Sequence, residues 1–490
     1  MRNILSFLSV AALAALVGCG GGSNTVSTPS GPSGGNNVGF STGSVKGNYV
    51  FSASGVYSNG NSFATAGVFT ADGDGNVTAG VRDIYSDGGQ KVQEESVTGT
   101  YNLTTDGRGQ VTLKGSSGTA VYRFVMRSAT EATFFQFSPS ADTTGRFLLQ
   151  STVTSTALNG PATYVVRLDG EDSSTAPYGA VGALTITGSS VTGTVDQNDS
   201  GTFSAQLAAS GSVASTPDTY GRGSMTLSIG GTSHTYDYYW VSSNEIELIC
   251  TDGTLVYGYA DLQQPSNAGT FAGGEVFSLS GYSATSGSTL AILETGLVTL
   301  DGAGTVTSGV EDYNVGGAYT GNASFGGSYV VPSSGRWTAT VTAQATNMVG
   351  WQISSSQSVV LTYNSAGTLL ETGTLRAQTS GLTTAGVSGN YAVDISGYNF
   401  DDPGDVESTA SYSADGLGAL TGTMDSQTPG YYNTNVAETG QYAISSTGRS
   451  TTTIAGAPFV LYAVDGTQGY LISSDPNRMY QGRMVQQPVQ

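Results

Sequence analysis

Gly67-Val68-Phe69-Thr70-Ala71-Asp72-Gly73-Asp74-Gly75-Asn76-Val77-Thr78-Ala79-Gly80-Val81-Arg82-Asp83 reads as two β-strands joined by an Asp-Gly turn. The chain writes this hairpin again from Gly296 to Asp312, in a shorter form from Ser411 to Asp425, and in a degenerate form from Ala183 to Asp196. One module has been copied four times, so the prior of about 150 residues per domain gives way to an internal period.

Four landmarks fix that period. The glycine closing the first strand is Gly55, Gly170, Gly281 and Gly397, and the Asp at the far end of the hairpin is Asp83, Asp196, Asp312 and Asp425. A Gly-Arg pair carries Arg108, Arg222, Arg336 and Arg449, and a closing Gln recurs as Gln150, Gln263, Gln378 and Gln486. They place the modules at Val45 to Ser151, Leu158 to Gln264, Thr270 to Ala377 and Val387 to Gln487, joined by linkers of Ser, Thr, Ala and Gly. Module 1 is expected to hold about eight strands, near Tyr49 to Ser54, Phe63 to Thr70, Val77 to Tyr85, Val97 to Leu103, Gln110 to Lys114, Ala120 to Met126, Ala132 to Phe137 and Arg146 to Gln150. Tyr122, Phe124 and Met126 alternate with Val121, Arg123 and Val125, the period of two that gives a strand one buried face. Asp72-Gly73, Asp87-Gly88-Gly89, Asp106-Gly107 and Ser117-Gly118 supply the turns.

No segment after Val17 sustains helical periodicity. The expected fold is therefore all-β, four tandem modules of about eight antiparallel strands. An up-and-down β-barrel removes the exposed edges such a meander would leave, and a β-sandwich is the alternative. A propeller does not fit, because its blades repeat every ~40 to 50 residues.

Charged residues are 11% of the chain against a usual ~25%, and 71 glycines double the ordinary share. The net charge of -20, from 36 acidic and 16 basic residues, repels a phosphate backbone and argues against nucleic acid as a partner.

Met1-Arg2-Asn3 followed by an apolar run from Ile4 to Val17 has the charged start and short core of an export signal, too short for a permanent membrane span. Its end, Leu16-Val17-Gly18-Cys19, resembles the lipobox of bacterial lipoproteins. That resemblance implies a signal peptide of residues 1–18, cleavage before Cys19, a lipid on its sulfur, and the membrane as a partner through that lipid. Gly20, where the family's inner-membrane retention signal has Asp, implies the outer membrane or cell surface. The Gly, Ser, Thr, Asn and Pro residues that follow, to Ser44, read as a flexible tether with an end-to-end distance of about 27 Å. With Cys19 lipidated only Cys250 remains, which leaves no internal disulfide. The alternation Glu245-Ile246-Glu247-Leu248-Ile249-Cys250 reads Cys250 as a small buried apolar residue.

Several groups invite a chemical reading. Asp72, Asp74, Asn76 and Asp83 fall at positions 1, 3, 5 and 12 of a calcium loop, but Val77 stands where such a loop needs Gly. Module 3 keeps the turn while replacing Asp74 and Asn76 with Ala303 and Thr305, so the hairpin reads as a register pin and no metal or other cofactor is expected. The four arginines suit anion binding, or a barrel-rim role against loop carbonyls and Tyr101, Tyr329 and Tyr442, each seven residues earlier; the structural role is favoured. Tyr236, Tyr238 and Trp240 form an aromatic stripe that stacks either sugar rings or a barrel core. His234 is the single histidine, which supports neither a hydrolytic triad nor a multi-histidine metal site. Glu311 and Asp312 are adjacent on a strand and point to opposite faces, so they do not form a glycosidase pair, and no catalytic constellation emerges.

The chain resembles Gly- and Thr-rich tandem-repeat surface lipoproteins of environmental bacteria, a likeness that implies no activity. Its modules are weakly similar to avidin and lipocalin barrels, through a Gly-x-Tyr first strand followed by Ala-Asp-Gly hairpins, without the biotin contacts or the lipocalin Gly-x-Trp. The expected function is a non-enzymatic, lipid-anchored envelope or surface protein for display, adhesion or scaffolding, with a glycan, a small ligand or an envelope protein as partner. Binding of a small apolar ligand or glycan by the barrels is the alternative, and a secreted carbohydrate-active enzyme comes third.

Overall fold

A computed structural model describes residues 39–488 apart from 139, 154–157, 159, 215, 265–270, 286–287, 332–333, 343–345 and 429. The export segment, Cys19 and the tether as far as residue 38 lie outside the described residues. Strands run Lys46–Leu149, Ala162–Leu262, Ala272–Ala377 and Ser388–Gln486 in the four modules, interrupted by turns and two short 3-10 turns at Thr42–Ser44 and Thr384–Gly386. No helix among the described residues is long and apolar enough to cross a membrane.

Each module closes into an antiparallel barrel, and the sandwich alternative does not hold. The first strand of module 1, Lys46–Tyr57, pairs on one side with Ser62–Asp72 and on the other with Ala141–Leu149, through Tyr49↔Phe69 and Tyr49↔Leu149. Modules 2, 3 and 4 close the same way, Tyr164 opposite Leu262, Phe277 opposite Leu375 and Tyr391 opposite Gln486. In module 1 the expected fourth strand is longer than the sequence implied and split in two, Lys91–Ser96 and Thr98–Leu103. Gly55, Gly170, Gly281 and Gly397 have a physical reason: a Cβ on any of them would lie 1.9 to 2.0 Å from a carbonyl oxygen of the last strand. Only glycine lets the first and last strands approach this closely.

The inner face of each barrel is mostly apolar, with Glu294, Glu311 and Glu371 buried together in barrel 3. Barrel 1 is filled by Tyr49, Phe51, Phe69, Tyr122, Phe124, Phe134 and Phe147, with Phe134 stacked on Phe147 at 4.2 Å and Tyr122 edge-on to Phe134 at 4.9 Å. Each such ring contributes about 1.5–3 kcal/mol by leaving water. This is the inverse of an outer-membrane barrel, whose lumen is polar and whose outer band is apolar.

In all four modules the register skips one residue at the landmark Asp: Arg82/Ile84, Val195/Gln197, Glu311/Tyr313 and Met424/Ser426. The opposing strand holds a left-handed residue there, Glu94, Gln206, Asn322 and Asn435, with φ between 52° and 58°. Its N–H donates to the Asp carboxylate, at 2.7, 3.0, 3.0 and 2.7 Å. The carboxylate thus accepts a backbone donor that the bulge removes from the ladder.

Candidate functional site

The barrels are not beads on a string. The outer face of the first three strands of one module packs on the last three strands of the next. Val50, Ala66, Val68 and Val81 meet Tyr239, Val241 and Ile249 between modules 1 and 2. Val165 and Val181 meet Val349, Trp351, Val359 and Leu361 between 2 and 3, and Val276 and Leu297 meet Val460, Tyr462 and Ile472 between 3 and 4. Module 4 then packs on module 1 through the same faces, the strand Gly404–Asp415 lying against Gly118–Met126, Glu131–Gln136 and Ala141–Leu149. The contact is head-to-tail and closes after four copies, so one chain builds a ring.

Three of the four landmarks are the clasp of these seams. Arg222 reaches back to Asp83 at 2.8 Å, Arg336 to Asp196 at 2.7 Å, Arg449 to Asp312 at 2.7 Å, and Arg108 to Asp425 at 2.9 Å. Every arginine therefore pairs with the Asp of the preceding module, and module 1 takes the Asp of module 4. The Asp carboxylates are fully buried or nearly so. An aromatic donor adds to each covalently linked seam: Tyr239 Oη to Asp83 at 2.6 Å, Trp351 Nε1 to Asp196 at 2.9 Å, and Tyr462 Oη to Asp312.

The closing Gln supplies the reverse contact. Gln150 Nε2 donates to the carbonyls of Tyr220 and Trp240, Gln263 to Gln352, Gln378 to Thr447 and Ala463, and Gln487 to Asp106 and Met126. The fourth landmark is thus Gln487 and not Gln486, whose side chain bonds the Ser388 carbonyl of its own module. The glycine of the Gly-Arg pair is left-handed in all four modules, φ 84°, 78°, 81° and 88°, and in modules 1, 2 and 4 the Gln amide sits where its Cβ would be.

The seam between modules 4 and 1 departs from the other three. Val125 occupies the place of Tyr239, Trp351 and Tyr462, so among the described residues no aromatic donor reaches Asp425. Ser151, Gln264 and Thr379 each donate a backbone N–H across their seams, at 2.9, 2.7 and 2.8 Å, whereas Pro488 in that position has none to give. Polar groups replace the apolar strip: Arg127 pairs with Asp394 at 2.5 Å, and Gln427 exchanges hydrogen bonds with Ser138 and reaches Asp142 at 2.6 Å. Asp142, Asp405 and Glu407 also lie here. Burial first, then the neighbouring carboxylates, pushes Asp405 up to about 7 and Glu407 well above the usual range, and burial raises Asp142 as well.

Other sequence-predicted groups fall elsewhere. Tyr101, Tyr329 and Tyr442 do not stack on the arginines; their hydroxyls donate to Val45, Phe271 and Val387 carbonyls and hold the start of each module. Opposite charge on the neighbouring copy is the stronger attractor for a guanidinium. Tyr236, Tyr238 and Trp240 are buried in the core of barrel 2 and present no sugar-stacking face. The calcium set does not converge: Asp72 Oδ1 caps its own turn through the N–H groups of Asp74 and Asn76, at 2.7 and 3.0 Å. Asp83 lies at the far end of the strand Asn76–Ser86, roughly 23 Å along it by strand rise. Glu311 and Asp312 diverge, Asp312 to the seam and Glu311 into barrel 3, where burial and then Glu371 and Glu311 push Glu294 well up.

The lumen of barrel 3 holds little space. The cavity in barrel 3, walled by Phe277, Phe325, Trp337 and Met348, is about 30 Å³. Larger spaces lie between barrels: about 410 Å³ between modules 1 and 2, lined by Tyr85, Lys91, Glu171 and Asp252, and about 420 Å³ where modules 1, 2 and 4 meet, lined by Arg127, Arg146, Arg167, Glu247, Tyr259 and Asp394. Arg146 bonds Glu247 at 2.5 Å and lies 4.8 Å from the Tyr259 ring centre there.

No protein-family model matches the sequence, and no curated protein does. Among solved structures, transferrin binding protein B from Haemophilus parasuis is similar at 11% identity over 72% of this chain and 82% of that one, with a TM-score of 0.17. Intact Ap-TbpB, with its N and C lobes, aligns at 11% identity over 72% and 83%, TM-score 0.18, and CghA at 8% over 90% and 89%, TM-score 0.16. Scores this low carry neither arrangement nor function, and the barrel assignment rests on the strand pairing.

Proposed function

We propose that this is an exported, lipid-anchored, non-enzymatic scaffold of the bacterial envelope or cell surface, in which four barrels form one rigid ring held off the membrane by a flexible tether. The observation that carries the scaffold reading is where the space lies. The lumens, where avidin-like or lipocalin-like barrels hold a ligand, are packed mainly with aromatic and aliphatic side chains, while three of the four landmarks shared by all copies join one barrel to the next. A ring of four offers a broad rigid face for its cost in chain length, which suits display or adhesion. The place for a ligand in this architecture is a cleft between modules, as between 1 and 2, between 2 and 3, or where 1, 2 and 4 meet.

Anchoring and display are tested separately. Cys19→Ser should move the protein from the membrane fraction to the soluble fraction, and retention on membranes would refute the anchor. A glycan-array and lipid-binding screen on residues 44–490 should give no hit that competes with a barrel-lumen substitution; saturable binding abolished by changes at Tyr236 or Trp337 would overturn the packed-lumen reading.

A further inference from the structure

The sequence contains one histidine and one cysteine beyond Cys19, and the fold brings them together. In barrel 2 the strand Thr232–Ser242 pairs with Glu245–Cys250, Tyr236 standing opposite Cys250. Continuing that register two residues outward sets Asp252 across from His234, at the mouth of the barrel and on its inner side. His234 Nδ1 is 3.2 Å from Asp252 Oδ1, Cys250 Sγ is 3.1 Å from the same oxygen, and the three donor atoms all lie within 4.8 Å of one another.

We propose that His234, Cys250 and Asp252 bind one borderline divalent transition metal of the Zn²⁺ class. Around Zn²⁺, bond lengths of about 2.0–2.3 Å set tetrahedral ligand-to-ligand edges of roughly 3.3–3.6 Å. The observed contacts are close to two such edges before any ion is present. Thiolate, imidazole and carboxylate together select this class over Ca²⁺ or Mg²⁺, which take oxygen ligands. The surroundings hold the donors in place. Asp252 Oδ2 accepts the Thr235 N–H at 2.8 Å, which turns Oδ1 toward the other two ligands, and Thr254 Oγ1 lies 2.9 Å from the sulfur. Cys250 is buried, whereas His234 and Asp252 are partly open to solvent, which gives the ion a route in. Three protein ligands leave a fourth position for water, and one of them, Asp252, also lines the cleft between modules 1 and 2.

The register recurs, but the ligand residues at it are specific to module 2. The residues that pair as Tyr236 and Cys250 do are Tyr122 and Gln136 in module 1, and Phe459 and Ser473 in module 4, so this site is not a repeated structural device.

The test is Co²⁺ titration of the full chain in a Cys19→Ser background, where Cys250 is the single thiol. One equivalent should bind with a sulfur-to-cobalt charge-transfer band in the near ultraviolet, and Zn²⁺ should displace it while Ca²⁺ and Mg²⁺ do not. Cys250→Ser should abolish the band. Because that residue is buried, His234→Gln and Asp252→Asn at the accessible edge provide variants that leave the core untouched, and each should weaken binding at least 10-fold. Absence of the band, or binding unchanged in His234→Gln and Asp252→Asn, would overturn the proposal and leave the three groups a hydrogen-bonded cluster only.

Discussion

Replacing Asp425 with Ala should open the ring. Asp425 is 1% exposed and accepts from the Asn435 N–H at 2.7 Å and Arg108 Nη1 at 2.9 Å. Without it Arg108 keeps Asp106 in its own module and the neutral Asn435 Oδ1 across the seam, but loses the only carboxylate it pairs with there among the described residues. Removing one member of a buried ion pair costs about 3–5 kcal/mol. For reference, a seam of about micromolar Kd at an effective concentration of about 1 mM closes with about 4 kcal/mol. The loss is as large as that closing free energy, and a substantial open population follows.

The same change in Asp312 removes an equivalent clasp, yet modules 3 and 4 stay joined by the chain and by the Val276, Leu297, Val460 and Ile472 contacts. The assay is small-angle X-ray scattering. Four barrels of radius of gyration about 13 Å, spaced by about 25 Å, give about 22 Å as a closed square and about 31 Å as an extended row. Asp425→Ala should move the value upward between these limits while circular dichroism stays β-rich; Asp312→Ala should leave it near the closed value. An unchanged radius in Asp425→Ala, or equal expansion in both, would refute the assignment of the 4/1 seam as the weak one.

Closure should also depend on pH. Asp405 ionises near 3.8 in the unfolded chain and at about 7 in the closed ring, so its extra stabilisation is present below about 4 and is lost as pH rises to 7, at most about 4 kcal/mol. Asp142 and Glu407 are raised in the same direction, so scattering at pH 5 should report a tighter ring than at pH 8.5, and Asp405→Asn should flatten the difference. Tyr239→Phe deletes the hydroxyl donated to Asp83 and should lower stability by about 1–1.5 kcal/mol in urea melts, with no effect at the 4/1 seam. Calcium up to millimolar levels should leave thermal melting unchanged, because Asp72 is occupied by its own turn; a rise of several degrees that Asp74→Ala removes would contradict the placement of these groups.

Much of this molecule is written locally. The alternation in Ala120 to Met126, the Asp-Gly turns and the recurrence of Gly55, Asp83 and Arg108 are short-range signals, and they suffice for strands, hairpins and four barrels, because barrel closure is the general way to remove two sheet edges. Identical landmarks in every copy are also what hides the assembly. Arg222 lies nearer in sequence to Asp196 than to Asp83, and no local pattern tells it to pair with the one 139 residues away. Arg108 finds Asp425 across 317 residues, a choice made only when the fourth barrel meets the first. The aromatic stretch shows the same division: periodicity identifies Tyr236, Tyr238 and Trp240 as one face, but only packing decides that this face is the core and that Tyr239, on the other, belongs to the seam. Sequence determined the module, since that depends on side-chain period and turn geometry; the tertiary structure decided the ring, since ion pairs between repeats are set by which surfaces meet.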